Sequence, residues 1–329
     1  MLELREGIQS IIGACFAVKP GEQILVIAEN DSESVFKGQA FMEVINSMGA
    51  EAVLTVIPAQ QTTGHEPPAL VATAMKNVNA IFCIAEKGGI SHTTARQEAL
   101  AAGARYYGVY QTSVEDLKIG VSATDIQLIK ERTEKLAQRL SQANVARVTT
   151  QLGTDITLNL TGRKGVAVHP LSSMISSSNV TVLPDYAEAA IAPVEGTAEG
   201  SIIIDLAMRL WGYLLKQPLR YTVKAGKVVD ISGAAGDVDA LRKIAATDEN
   251  ASNIAELGIG TSHIIPGAMR GSARDFGRVG TVHIGIGRNN DVGGKTWSRI
   301  HLDGLMSKPT IELDTEYVMR EGVLLEKWR

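Results

Sequence analysis

The first hundred residues alternate short apolar runs with amphipathic ones, and this rhythm limits the fold more than any other feature. Gln23-Ile-Leu-Val-Ile-Ala28 is apolar after its first residue, the pattern of a strand buried on both faces. A helical pattern over residues 34–48 follows, closed by Gly49, a residue suited to the left-handed conformation past a helix end. Further strands read at 51–57, 80–85 and 104–110, with a helix over 93–102. Strand–helix alternation of this kind builds a small parallel sheet with helices on both faces. The turn after the first strand, Glu29-Asn-Asp-Ser-Glu-Ser34, is acidic and lacks glycine. Carboxylates there repel a pyrophosphate, so this part is expected to be a doubly wound scaffold rather than a dinucleotide site.

A long amphipathic helix is expected within 121–143, and the texture then changes. Residues 146–160 alternate and break at Gly153, a hairpin signature. Short strand-like runs continue at 180–183, 200–205, 220–223, 227–231, 282–286 and 310–313, with one helix at 237–246. The expected fold is α/β. An N-terminal doubly wound parallel-sheet domain takes residues 1–145, and a mostly antiparallel α+β metal-binding domain takes 146–329. A chain of 329 residues suits two domains of ordinary size.

A net charge of -4 offers no basic footprint for nucleic acid, and 5% aromatic residues offer few stacking platforms. The amino terminus carries charges throughout, unlike a secretory signal. No apolar run approaches the ~20 residues of a membrane helix. Cys15 and Cys83 sit among apolar neighbours and read as buried thiols in a reducing compartment. A soluble cytoplasmic protein is expected, with a small-molecule or small-peptide substrate and neither nucleic acid nor membrane as partner.

Two chemistries compete in Gly293-Gly-Lys-Thr-Trp-Ser-Arg-Ile-His-Leu-Asp303. A phosphate loop needs glycine five residues before its Gly-Lys-Thr and a helix after it. Asn289 stands at the first position and a strand-like alternation follows, so Lys295 reads as a solvated loop residue. His301 and Asp303, two apart, share one face of a strand and suit a divalent cation. Alone, such a pair is usually incidental. His283 lies in an apolar, glycine-flanked run, as does Glu256, and Glu188 is a lone acid among alanines. Buried acids need a cation or a set of donors. Glu188, Glu256, His283, His301 and Asp303 together are a ligand set for one or two ions.

Glu188-Ala-Ala-Ile-Ala-Pro-Val-Glu195, Glu256-Leu-Gly-Ile-Gly-Thr261, Gly280-Thr-Val-His283 and His301-Leu-Asp303 occur in the order seen in the aminopeptidase T family of metallo-aminopeptidases, which the chain resembles along most of its length. The resemblance implies two divalent metals on those five residues, zinc, cobalt or manganese, and a homodimer. Asn290 stands where that family carries a tyrosine. The 2,5-dihydroxypyridine dioxygenases look similar overall; they use one ferrous ion and place histidine at the position of Glu256. Retention of Glu256 and His283 favours the hydrolase side.

The leading expectation is therefore a hydrolase cleaving a peptide amino terminus or a small amide with a metal-activated water. Glu256 or Glu188 is the carboxylate to bridge metals or accept a proton, with Glu256 named as the catalytic candidate, and His263 and Asn290 are substrate-binding candidates. The alternative is a mononuclear Fe(II) ring-opening dioxygenase on Glu256, His301 and Asp303. A metal-free binding protein is the third reading, disfavoured by the cost of buried acids without a cation.

Overall fold

A computed structural model describes the chain except residues 1, 60–64, 87–89, 91–92, 172–180, 183–184, 210 and 291. It divides into two compact units, one of Met1–Lys130 with Val168–Tyr186, the other of Glu131–Ala167 with Ala187–Arg329. The division falls inside the helix Ala123–Gln142, ahead of the expected boundary at residue 145. The reason is packing: Leu136, Ala137 and Leu140 belong to the core of the second unit.

The first unit is built on a five-stranded sheet in the order Glu51–Ile57, Gln23–Glu29, Ala80–Ala85, Arg105–Tyr110, Thr181–Val182. Every pairing in it is parallel. Ala80–Ala85 is buried throughout, as a central strand covered on both faces must be. Phe82 meets Phe16, Phe41 and Tyr107 at ring centroids of 5.2, 5.7 and 5.0 Å. At the acidic turn, Asp31 Oδ1 accepts from the backbone N–H groups of Glu33 (3.0 Å) and Ser34 (2.8 Å). A carboxylate of the chain itself therefore takes the helix terminus where a pyrophosphate would bind. Two expectations need correction. The run 180–183 was placed in the second domain, but Thr181–Val182 is the last strand of this sheet, and residues 180 and 183 lie outside the described ones. His169, also expected in the second domain, belongs to the first unit.

The second unit holds an eight-stranded and a six-stranded sheet with antiparallel pairings. The hairpin at Gly153 forms from Val145–Thr149 and Asp155–Asn159. Inward residues of both sheets, among them Ile156, Leu158, Tyr221 and Ile311 from the first and Leu257, Ile259, Ile284 and Leu302 from the second, share one core. Each such side chain contributes about 1.5–3 kcal/mol on burial. The six-stranded sheet runs Ala207–Met208, His301–Met306, Val282–Gly287, Ile254–Gly260, Glu188–Ile191, Val166–Val168. Among the described residues no helix is long and apolar enough to cross a membrane.

Candidate metal centre

Strand alternation sends Leu257, Ile259, Val282, Ile284, Ile286 and Leu302 into the core, so the residues between them project from the other face. Those are Glu256, His283, His301 and Asp303, and on the neighbouring strand Glu188 joins them. In register, each faces a glycine: Glu256 and Asp303 flank Gly285, His283 faces Gly258, His301 faces Gly287 and Glu188 faces Gly260. A register shift between Ile254 and Glu256 sets Glu256 opposite Gly285, the re-aiming that a bulge provides.

The glycines form a floor that side chains could not share. A Cβ at Gly258 would lie 2.0 Å from His283 Nε2, and one at Gly285 would lie 2.8 Å from Asp303 Oδ1 and 3.1 Å from Glu256 Cβ. The repeat of Glu256-Leu-Gly-Ile-Gly260 and His283-Ile-Gly-Ile-Gly287 thus has a purpose. Apolar residues fill the core on one face while glycines admit polar groups on the other.

Two groups of ligand atoms result, Glu188–Glu256–His283 and Glu256–His301–Asp303, each gathered within 4.8 Å. Glu256 belongs to both. His301 Nε2 lies 3.1 Å from Glu256 Oε2 and 3.1 Å from Asp303 Oδ1. His283 Nε2 lies 3.2 Å from Glu188 Oε2 and 3.8 Å from Glu256 Oε1. His301 Nδ1 sits 2.7 Å from the Arg288 carbonyl. That oxygen only accepts, so Nδ1 carries the proton and Nε2 turns its lone pair, or a second proton, toward the acids.

The set is unsatisfied by protein partners alone. Both ring nitrogens of His283 and Oδ1 of Asp303 are buried without hydrogen-bond geometry to any partner. Burial pulls both imidazoles toward the neutral form. Glu188 and Glu256 nevertheless raise His283 to about 10, and Asp303 with Glu256 holds His301 well above its usual range. Burial likewise opposes ionisation of Asp303 and Glu256, and the imidazoles override it, keeping both carboxyls low. Three acids thus demand positive charge at the imidazole nitrogens, which protons or a metal ion can supply. Orphaned donor atoms, mixed imidazole and carboxylate chemistry and the glycine floor all fit a divalent cation.

Sequence reasoning missed Arg209. It follows the edge strand Ala207–Met208, and its Nη1 lies 3.4 Å from Asp303 Oδ2. The two residues are 94 apart in sequence, and no local pattern links them. His263 is exposed, with Nδ1 3.2 Å from Arg132 Nη1, and Asn290 is exposed in a turn. The strand expected over 297–303 begins only at His301. Before it, the Gly-Gly-Lys-Thr segment is a loop closed on Asn289, whose Oδ1 accepts from Thr296 N at 2.8 Å. Glu195 Oε1 accepts from Lys295 N (2.8 Å) and Asn289 Nδ2 (2.9 Å). A carboxylate thus holds a backbone N–H that a phosphate would need.

The fold is similar to two solved enzymes. A 2,5-dihydroxypyridine dioxygenase from Pseudomonas putida KT2440 gives a TM-score of 0.83 at 17% identity, covering 99% of this chain and 98% of that one. AmpT from Thermus thermophilus gives 0.73 at 15% identity, covering 98% and 99%. At such identities the likeness is one of fold. No curated protein sequence matches. The expectation that retained Glu256 and His283 favour a hydrolase is corrected by the family comparison, in which the profile described as NicX, 2,5-dihydroxypyridine 5,6-dioxygenase, matches residues 8–326. The correction has a structural reason: Glu256 completes a three-ligand group with His301 and Asp303, so its carboxylate does not require a second metal. With almost its whole length matched, the chain belongs to the 2,5-dihydroxypyridine 5,6-dioxygenase family.

Proposed function

We propose that the chain is a mononuclear, Fe(II)-dependent dioxygenase that opens an electron-rich hydroxylated aromatic ring such as 2,5-dihydroxypyridine. The observation that carries this reading, within a chain of that family, is the charge of the cluster. Glu188, Glu256 and Asp303 bring three negative charges and Arg209 one positive. With neutral imidazoles, one divalent ion cancels the remaining two charges. A second would leave an excess of two positive charges in a buried site, which is costly without further anions.

Glu256, His301 and Asp303 would hold the ion, and ferrous iron there would supply the redox chemistry that activates dioxygen toward a hydroxylated ring. The Arg288 carbonyl fixes the tautomer and rotation of His301. Glu188 and His283, 3.2 Å apart beside this group, would take the proton that a ring hydroxyl sheds on binding. His263 and Asn290 remain proposed substrate contacts. A homodimer and a cytoplasmic location are likewise proposals, which sedimentation and cell fractionation test.

The second group, Glu188–Glu256–His283, is the observation that favours a two-metal hydrolase instead. Anaerobic loading with ferrous iron separates the two. The proposal expects about one equivalent of tightly held iron and oxygen uptake when 2,5-dihydroxypyridine is added. Two metal equivalents, aminoacyl-amide hydrolysis and no oxygen uptake would overturn it.

A further inference from the structure

We propose that Arg209 is a positioning residue that holds the Asp303 carboxylate in the orientation needed to ligate the metal. The inference rests on the mononuclear reading above and concerns the protein side of that site.

Asp303 is anchored by Arg209 at two levels. The backbone N–H of Arg209 donates to the Asp303 carbonyl at 2.9 Å, continuing the pairing of Met208 with Gly304 at the sheet edge. The guanidinium then reaches the side chain, with Nη1 3.4 Å from Oδ2. The two carboxylate oxygens thereby become unequal. Oδ2 has a cationic donor, while Oδ1 has no hydrogen bond and lies 3.1 Å from His301 Nε2. An aspartate whose outer oxygen is held by a guanidinium presents its inner oxygen as a fixed, single ligand.

The guanidinium is itself held in place. It lies 5.7 Å from the centroid of the Phe276 ring, in cation–π range. Phe276 in turn packs against His283, centroids 5.6 Å apart and planes at 62°. Arg209 and Phe276 therefore make a bracket touching one residue of each ligand group. Phe276 comes from the short turn of helix Ala273–Gly277, so the bracket joins a sheet edge to a loop.

An arginine this close to a cation also repels it. A purely electrostatic bystander would weaken metal binding, and its removal would tighten it. A positioning residue predicts the opposite sign, which makes the proposal decidable. The probe is cobalt(II) alone, titrated into metal-free protein against a competing chelator, with the visible ligand-field spectrum recorded. Arg209→Ala is expected to weaken cobalt affinity by about 10- to 100-fold, the usual effect of losing an outer partner, and to shift the spectrum as Asp303 gains freedom. Arg209→Lys, which keeps the charge without the fork, should recover part of the affinity and is the variant to use if the alanine protein does not fold. Phe276→Leu should move both readouts the same way by less. Tighter or unchanged cobalt binding with an unchanged spectrum in Arg209→Ala and Arg209→Lys would overturn the proposal. Should those variants bind cobalt normally while the parent takes one iron and consumes oxygen, only this inference falls. A parent that binds no metal would remove both.

Discussion

A buried lysine in the first unit and the acid–imidazole cluster in the second meet their charges differently. In the first unit Lys37 is fully buried on the helix Ser32–Ser47, yet its Nζ donates to Glu86 Oε1 and the Thr112 carbonyl, both at 2.8 Å, with Glu33 at 3.5 Å. In the second unit five titratable groups crowd one face of a sheet, and His283 and Asp303 keep buried atoms without a hydrogen bond. A buried lysine matched by neighbours is a structural element. A cluster that the protein leaves unmatched is one completed by something else. The contrast reaches into the sequence. The strands of the parallel sheet carry apolar residues where neighbours must cover them, while the site strands alternate an apolar residue with an acid, a histidine or a glycine.

The sharpest break of that comparison is at the metal ligands. His301→Ala should abolish ring opening and lower metal affinity beyond the about 100-fold expected of an outer partner. His283→Ala should slow turnover yet leave close to one metal equivalent bound. Metal counts and oxygen uptake on both variants check this, and loss of all metal in His283→Ala would show the two groups to be one site. The first unit should respond oppositely. Phe82→Ala removes the ring shared by Phe16, Phe41 and Tyr107. It should cost about 3–5 kcal/mol of stability with metal affinity of the folded protein unchanged. A fall in affinity at low temperature would mean that the units do not divide the work this way.

Glycine substitutions give a smaller and more local contrast. Gly258→Ala places a methyl 2.0 Å from His283 Nε2, so His283 must move, at about 1–3 kcal/mol. Gly236→Ala, in the helix Ala235–Ala245 with nothing within 4 Å, should instead stabilise by about 0.5–1 kcal/mol. Thermal melting of both variants, with metal titration of the first, reads the difference. If Gly258→Ala binds metal like the parent, the glycine floor has no role in the site.

Protein stripped of metal offers a pH test of the same cluster. His283 is raised from 6.5 to about 10 in the fold by Glu188 and Glu256. The stability it contributes is complete below pH of about 6.5 and is lost as pH climbs through about 10. Metal-free protein should therefore melt progressively lower between pH 7 and 10. Metal should bind more tightly over the same range, because it no longer displaces a proton. A melting temperature that rises with pH in the metal-free protein would show that the imidazole carries no proton there.

Much of the arrangement could be read from residue order because it follows from local periodicity. The apolar strand at 23–28, the hairpin at Gly153 and the His301–Asp303 pair each depend on neighbours within a few residues. The amino-terminal helix Leu2–Ile11 was not expected, although Leu4, Ile8 and Ile11 are buried at helical spacing; its charges read only as the lack of a signal segment. Thr181–Val182 escaped because a two-residue strand has no period of its own and takes its place from its partner, Arg105–Tyr110.

The sequence by itself determined which residues must be buried and which kinds of ligand atom go with them, since alternation along a strand assigns each residue to a face. Tertiary structure alone decided how those residues meet. Register set a glycine opposite every acid and imidazole of the site. The sheet edge brought Arg209 to Asp303 across 94 residues. Glu195 closed the loop that resembled a phosphate site. Contacts at such separations come from strand pairing between distant segments, which no periodicity within a single segment encodes.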